Sequence, residues 1–243
     1  MSPDEFRSGL LAIAAEFIRR IRSLLRVLPA NPSDEVWDAF VREVHREMLR
    51  ARRESYLLAR DYYASQRADA VEPGYEPEPR ERAYPVQVLD SVLERTTRAH
   101  LDGLEEWEVD RERIERETLA TLERHVVQAG RDAVLDAANE DPQAVGFARV
   151  PSGAETCAFC LMLASRGAVY KSEQTARFKD GTRDPYHNNC DCVIVPVFVR
   201  DRWDGRERAD EAKRIYDEAQ KAFPDDPPLK ALRKFLGEQS PDS

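Results

Sequence analysis

Long uncharged hydrophobic stretches are absent from this sequence of 243 residues. Arginines interrupt the apolar residues of the first 28 positions, and no small-residue cleavage site follows them, which argues against an ordinary signal peptide. No stretch approaches the roughly 18 uncharged residues that a transmembrane helix requires. We therefore expect a soluble protein that is made in a reducing cytoplasm and has no membrane partner.

Cysteine is scarce, and its placement is the most informative feature of the chain. Four cysteines occur, all within one window: Cys157 and Cys160 form a Cys-x-x-Cys pair, and Cys190 and Cys192 follow His187 in a His-x-x-Cys-x-Cys block. Two close clusters separated by about thirty residues are typical of a structural zinc site, in which each cluster supplies two ligands to a tetrahedral ion. The spacing therefore predicts a zinc-binding module.

This block supplies five candidate ligands for four positions. Cys157, Cys160, Cys190 and Cys192 would form a four-thiolate site, or His187 would replace one cysteine of the tight Cys-x-Cys pair. Disulfides and inert buried thiols are the alternatives to a metal. The absence of cysteine elsewhere and the expected reducing compartment favour the metal.

A catalytic role for the same residues is the competing interpretation. Cys157 or Cys160 with His187 would form a thiolate–imidazole pair. Asp184 or Asp191 would then orient the histidine. A catalytic zinc ion with an open position for water, and with Glu155 or Asp191 as the base, is a second form of this interpretation. Because four cysteines on one ion leave no position for a catalytic water, a closed structural site is favoured.

Charge and hydropathy favour solvated helices. Charged residues make up 34% of the chain, its mean hydropathy is -0.64 and its formal net charge is -9. A strongly negative protein is a poor candidate for coating nucleic acid, because phosphates require a cationic surface. One stretch is locally basic, with neighbouring glutamates, and we interpret it as a solvated helix face, with a nucleic-acid patch as the alternative; its arginines are Arg42, Arg46, Arg50, Arg52 and Arg53.

Apolar spacings of three and four residues predict a mostly α fold. Ser2, Pro3 and Glu5 form a helix-start signal, and Ser33 is a candidate cap for a second long helix reaching about Gln66. We predict five segments: an N-terminal helical hairpin (1–70), an extended Pro/Glu-rich linker with little to bury (71–85), a helical region (86–144), a small α+β Cys/His module (145–204), and C-terminal helices with a tail (205–243).

The α+β module is predicted because short β-prone segments replace the helical pattern after Val145. β-prone pieces lie at Phe147–Val150, Ala168–Lys171 and Cys192–Val199, and Pro196 indicates an edge strand. A short helical turn is expected over Cys157–Arg166. Because this unit is too small to build a sufficient core of its own, we expect a structural zinc ion to supply its rigidity.

Three motifs between Arg149 and Pro196 carry a family resemblance. They are Thr-Cys-Ala-Phe-Cys (156–160), Leu-Ala-Ser-Arg-Gly-Ala-Val-Tyr (163–170) and Tyr-His-Asn-Asn-Cys-Asp-Cys (186–192). This stretch resembles the phage minor head proteins typified by the F protein of phage Mu, in the branch common in phages of actinobacteria. A helical N-terminal region before the cysteine pair is that family's arrangement.

The resemblance implies a minor capsid protein of the virion, made in the host cytoplasm and located at the portal vertex or capsid interior. Its partners would be the portal protein and the scaffold or major capsid protein, with packaged DNA as a further contact. Related actinophage proteins are often labelled capsid maturation proteases, which is the alternative function. Ser152 and Ser165 have no evident histidine and acid partners, so we expect a structural and interaction role and not an enzyme.

Overall fold

A computed structural model describes residues 1–72, 80–153, 156–168 and 192–237. These ranges are mostly helical and contain one small sheet, as the sequence predicts. Their α-helices and strands in chain order are α1 (Pro3–Val27), α2 (Asp34–Ala68), α3 (Val86–Thr96), α4 (Arg111–Glu140), β1 (Gly146–Pro151), α5 (Ala158–Ala164), β2 (Cys192–Val197), α6 (Arg206–Ala222) and α7 (Pro228–Leu236). None of the helices in these ranges is long and apolar enough to span a bilayer.

Side-chain caps begin the three long helices. Ser2 and Glu5 form the predicted capping box of α1, and Ser33 accepts a hydrogen bond from the backbone N–H of Val36 at the start of α2. Asp110 caps α4 by accepting from the N–H of Arg113 at 2.9 Å. These caps satisfy N–H groups that have no partner within the helix, so both predicted N-terminal starts are confirmed.

Helices α1, α2 and α4 form the main core. Phe6 near the start of α1 stacks on Tyr62 near the end of α2, with ring centroids 4.3 Å apart, so these two helices are antiparallel. Arg52 of α2 donates to the carbonyl of His125 in α4 at 2.6 Å, and Arg67 binds Asp141 just after α4, so α2 and α4 run in the same direction. The core residues follow the predicted helical periods.

Residues 80–85, which we call the strap, run antiparallel to α2 and lead into α3. Trp37 of α2 donates from Nε1 to Asp90 of α3 at 3.3 Å, which fixes α3 on α2. The strap and α3 together fill the fourth position of an up-down-up-down bundle. The strap lacks regular secondary structure, as predicted for the linker, of which residues 73–79 lie outside the described ranges. The expectation of little to bury is wrong at Tyr84, which is only 9% exposed.

The loops at one end of the bundle interlock. Asn31, between α1 and α2, donates its backbone N–H to the carbonyl of Leu101 at 3.2 Å, and its side chain accepts from the N–H of Gly103 at 3.4 Å. Arg111 at the start of α4 donates to the carbonyl of Leu28 at 2.7 Å. These bonds hold the two connections together at the end where α1 finishes and α4 begins.

A β-ribbon covers the opposite end of the bundle. Strands β1 and β2 are antiparallel, and their register runs from Gly146 opposite Val197 to Pro151 opposite Cys192. Phe198, just after β2, packs edge-on against Tyr63 of α2. Most apolar residues of both strands, including Phe147 of β1 and Ile194 of β2, belong to the same core as the long helices. The ribbon therefore draws its core from the bundle.

The strands at 147–150 and in the 192–199 stretch are confirmed, and most of the strand predicted at Ala168–Lys171 lies outside the described residues. The short helix predicted after Cys157 is α5. Ala158 and Met162 of α5 pack on Ala219 of α6 and Leu232 of α7 in a small second core. The two predicted C-terminal helices are confirmed with ends shifted by one residue.

Candidate functional site

Cys157 and Cys160 lie together at the start of α5. Cys157 is the N-terminal cap of this helix, and its sulfur accepts a hydrogen bond from the backbone N–H of Cys160 at 3.4 Å. Cys160 is fully buried, whereas Cys157 is partly exposed. A backbone N–H that points at sulfur favours the thiolate, which is the form of cysteine that binds metals.

Cys192 is the first residue of β2 and is also fully buried. Its sulfur accepts a hydrogen bond from Nη1 of Arg149 at 3.6 Å, and Arg149 is only 1% exposed. Pro151 is the direct cross-strand partner of Cys192. Arg149 precedes Pro151 by two residues in β1, so it lies on the same face of the ribbon, diagonally across from Cys192. The contact gives the buried guanidinium a soft acceptor and fixes the start of β2.

The structure therefore brings Cys157 and Cys160 together and places Cys192 on the ribbon. His187 and Cys190, like Asp184 and Asp191, lie outside the described residues. Within the four described ranges, no three His, Cys, Asp or Glu side chains are grouped closely enough to hold a metal ion. The five-residue ligand set remains a prediction.

A groove of about 540 Å³ lies beside α5, between the end of β1 and α6. Ser152 lines it, together with Leu161, Glu211 and Ile215. Arg208 crosses its rim, binding Asp4 of α1 at 2.6 Å and the carbonyl of Pro151 at 3.1 Å. The other serine considered for proteolysis, Ser165, donates its hydroxyl to the carbonyl of Met162 at 2.8 Å, which occupies it at the end of α5.

A polar cluster under the strap was missed by sequence reasoning. The guanidinium of Arg52 lies over the Tyr84 ring, with its Cζ 4.4 Å from the ring centroid. Tyr84 Oη forms a 2.7 Å hydrogen bond with Nδ1 of His125. His45 donates from Nε2 to the carbonyl of Tyr84 at 2.9 Å. Four side chains from α2, α4 and the strap thus meet at one point.

Arg52 corrects the interpretation of the basic face on α2. The sequence pattern groups it with the exposed arginines, but it is buried under Tyr84. Arg52 follows Met48 by four residues and therefore lies on the buried side of the helix. That spacing was the signal available in the sequence. Arg46 and Arg50 remain on the solvated side, paired with glutamates of α2, and Arg53 pairs with Glu81 of the strap.

Burial shifts the pKa values of this cluster. Burial, with smaller contributions from the neighbouring cations Arg124, Arg52 and Arg95, lowers the pKa of His125 to about 4. Burial also raises the pKa of Tyr84 to about 12, against a small opposing effect of Arg52. Both groups are therefore neutral near pH 7, as a buried hydrogen bond between them requires.

A second buried network joins the ends of α2 and α4. Arg67 donates from Nε to Asp141 at 2.8 Å, and Tyr63 donates its hydroxyl to the same carboxylate at 3.1 Å. The other oxygen of Asp141 accepts from the N–H of Gln143 at 2.9 Å. This network fixes the turn that leads from α4 into β1, and so positions the ribbon.

Comparison with known proteins places these features in a family. The sequence profile of the VG15 protein family matches residues 2–219, which include the bundle, the ribbon and the Cys/His block. The chain is 30% identical over 235 residues to the Gene 15 protein of Mycobacterium phage D29, an alignment covering 85% of this chain and 82% of that protein. It is also 30% identical over 258 residues to the Gene 15 protein of Mycobacterium phage L5, covering 90% and 85%. No solved structure matches the chain. This protein therefore belongs to the VG15 protein family, which has members in phages.

Proposed function

We propose that this protein is a minor capsid protein with a structural and interaction role in the phage head, at the portal or the inner capsid surface. The observation that carries the proposal is the extent of the family match, which spans the bundle and the Cys/His block together. The two relatives are phage proteins, and the alignments cover 82% and 85% of them. The resemblance of residues 149–196 to the Mu F-like minor head proteins supplies the specific role.

The architecture supports a role in assembly. A bundle whose core continues into the ribbon forms one stiff unit, and this unit carries α5 and its cysteines at one end. A buried ion pair fixes one end of the bundle, and interlocked loops fix the other. A stiff helical body with a distinct module at one end is suited to joining the portal protein to scaffold or major capsid subunits.

The proposal includes a structural zinc ion. Cys157 and Cys160 fit one half of such a site, because the N–H of Cys160 already points at the Cys157 sulfur. Two of His187, Cys190 and Cys192 would complete it. Zinc would supply a cross-link between the start of α5 and the chain leading into β2.

The experiment is co-production of this protein with the portal, scaffold and major capsid proteins of its phage, followed by purification of assembled heads. We expect a small and constant number of copies in each purified head. Free protein that never enters heads, or entry at a level that varies with expression, would contradict the proposal.

The same particles test the protease alternative. A protein with a structural role leaves scaffold and major capsid protein at full length, as mass spectrometry of the heads will show. Cleavage that depends on the wild-type chain and disappears in His187→Ala, with folding retained, would establish the protease instead.

Zinc is tested by elemental analysis of protein purified without added metal. We expect one zinc per chain, lost in Cys157→Ser and retained in Ser152→Ala, a matched change on the neighbouring loop. A zinc content near zero in the natively folded wild-type protein would remove the metal from the proposal without removing the capsid role.

A further inference from the structure

The groove between α2 and α4 that the strap fills is polar where a permanent helix contact would be apolar. Arg52 and Asp132 are buried on its floor, and His125 is largely buried beside them. Tyr84 is the one residue of the strap in the buried core. Polar contacts of this kind are characteristic of interfaces that open and close, whereas permanent interfaces are more apolar.

Strap arginines bind a row of carboxylates on α4. Arg82 donates to Asp136 at 2.6 and 2.8 Å and to Asp132 at 3.3 Å. Arg80 lies 3.2 Å from Glu140. Because these three acids are spaced by four residues, they line one side of the groove.

The other half of the groove recognises an aromatic residue. The Arg52 guanidinium lies against the ring of Tyr84, His125 meets its hydroxyl, and His45 donates to its backbone carbonyl. Arg82 therefore lies in an acidic subsite. Tyr84, two residues later, lies in a subsite lined by a guanidinium and by imidazoles. The groove is chemically complementary to an Arg-x-Tyr segment in an extended conformation.

We propose that the α2–α4 groove is a docking site for an extended Arg-x-Tyr segment of a protein partner, and that the strap is its intramolecular occupant. The strap closes the groove until a partner segment of the same chemistry replaces it. Replacement transfers the contacts of Arg82 and Tyr84 to the partner and frees the strap.

Because the strap is tethered to the groove, a partner must bind with enough affinity to compete with it. A tethered segment competes at an effective concentration on the order of millimolar, so an isolated short peptide does not displace the intact strap efficiently. A partner must contribute further contacts or present several copies. The groove itself is therefore best tested in a chain whose strap has lost its anchors.

The probe is a fluorescent peptide with blocked ends and the sequence of residues 80–85, Arg-Glu-Arg-Ala-Tyr-Pro. The receptor is the full chain with Arg82→Ala and Tyr84→Ala. We expect saturable binding by fluorescence anisotropy, at least about tenfold tighter than binding to the wild-type chain, whose groove is occupied. A control peptide with alanine in place of its second arginine and its tyrosine should bind at least about tenfold more weakly than the probe, because it lacks the ion pair and the ring contact.

Matched substitutions locate the binding site. Asp136→Asn in the double-variant background removes an acid of the groove and should abolish binding, whereas Glu218→Gln on the exposed face of α6 should not change it. Equal binding of both peptides, equal binding to the wild-type and double-variant chains, or an equal effect of the two acid substitutions would overturn the proposal.

A milder variant covers the case in which the double variant does not fold. Tyr84→Phe removes only the hydroxyl contact with His125 and weakens the strap. It should increase probe binding several-fold over the wild-type chain. If probe binding to folded Tyr84→Phe equals that of the wild-type chain, the strap does not control access to the groove and the proposal fails.

Discussion

The ion pair between Arg67 and Asp141 is the most deeply buried charge pair in the described part of the chain. Their side chains are 5% and 0% exposed, and Tyr63 also donates to the carboxylate. Two charges removed from water depend on each other, because either one alone would be an uncompensated buried ion.

Removing one partner should therefore be costly. We expect Asp141→Ala to lower the free energy of unfolding by about 3–5 kcal/mol, because Arg67 is left buried without its carboxylate. Asp217→Ala, which breaks the exposed pair with Lys213 on α6, should cost no more than about 1 kcal/mol. Urea unfolding followed by circular dichroism measures both. Equal losses would mean that the buried network does not stabilise the turn into β1.

His125 predicts a dependence of stability on pH. Its pKa is about 4 in the folded protein and near 6.5 when unfolded, so the unfolded chain binds more protons between these values. The contribution of His125 to the free energy of unfolding should be fully present above pH 6.5. It should fall by up to about 3 kcal/mol as the pH is lowered toward 4. The measurement is urea unfolding at a series of pH values.

A pair of histidine variants assigns that dependence. His125→Gln should flatten the slope of stability between pH 4 and 6.5, while His100→Gln, outside the strap cluster, should leave it unchanged. A slope that persists in His125→Gln would place the responsible group elsewhere.

At the scale of elements, the junction between the ribbon and α6 depends on one glycine. Gly205 caps α6 with φ at +85°, and a Cβ atom there would lie 2.5 Å from Cγ1 of Val150 in β1. Gly237 after α7 has a similar φ of +71°, but a Cβ there would meet no atom within 4 Å. The two positions share the backbone constraint and differ in the packing constraint.

This difference predicts unequal effects of the same substitution. Gly237→Ala should cost about 1–2 kcal/mol for the left-handed conformation alone. Gly205→Ala should cost about 1–3 kcal/mol more, because β1 and α6 must separate. Thermal unfolding compares them, and Val150→Ala combined with Gly205→Ala should recover part of the additional loss. Equal losses at both glycines would contradict close contact between β1 and α6.

The elements that sequence reasoning predicted well are those whose signals are local. The apolar periods of α1, α2 and α4 arise from burial on one face, and the caps of α1 and α2 are fixed by short hydrogen bonds within one turn. The strap is different, because Tyr84 is held by Arg52, His45 and His125, which are 32 to 41 positions away. Its Pro/Glu-rich surroundings resemble a linker, and no period in the sequence reports such distant contacts.

The candidate site was predictable only in part for a similar reason. Cysteine spacing identified Cys157 and Cys160 as a pair, and the structure brings them together. The contact of Cys192 with Arg149 depends on the register of β1 and β2, which joins residues 43 positions apart. Spacing along the chain contains no information about that register.

For the whole molecule, the shared core of bundle and ribbon predicts a limited effect of metal removal. If zinc is bound as proposed, a chelator should increase amide hydrogen exchange around Cys157 and Cys160 by at least about tenfold, because their cross-link is lost. The long helices should keep their protection, since their core consists of apolar side chains. Exchange detected by mass spectrometry tests this, with Cys157→Ser as the metal-free control.

Loss of helicity throughout the molecule on chelation would contradict that expectation. It would mean that the bundle depends on the metal and that the continuous apolar core is insufficient to hold it. The far-ultraviolet circular dichroism of the same samples distinguishes the two outcomes.

The unbroken length of α4 gives the molecule a fixed dimension. Its 30 residues span about 45 Å at the usual rise per residue, from the interlocked loops at one end to the ribbon at the other. The two ends present different chemistry, loop backbone at one and the cysteine-bearing helix at the other. In the proposed role, two components attached to opposite ends of this helix would be held about 45 Å apart, and the number of residues in one helix would set their separation.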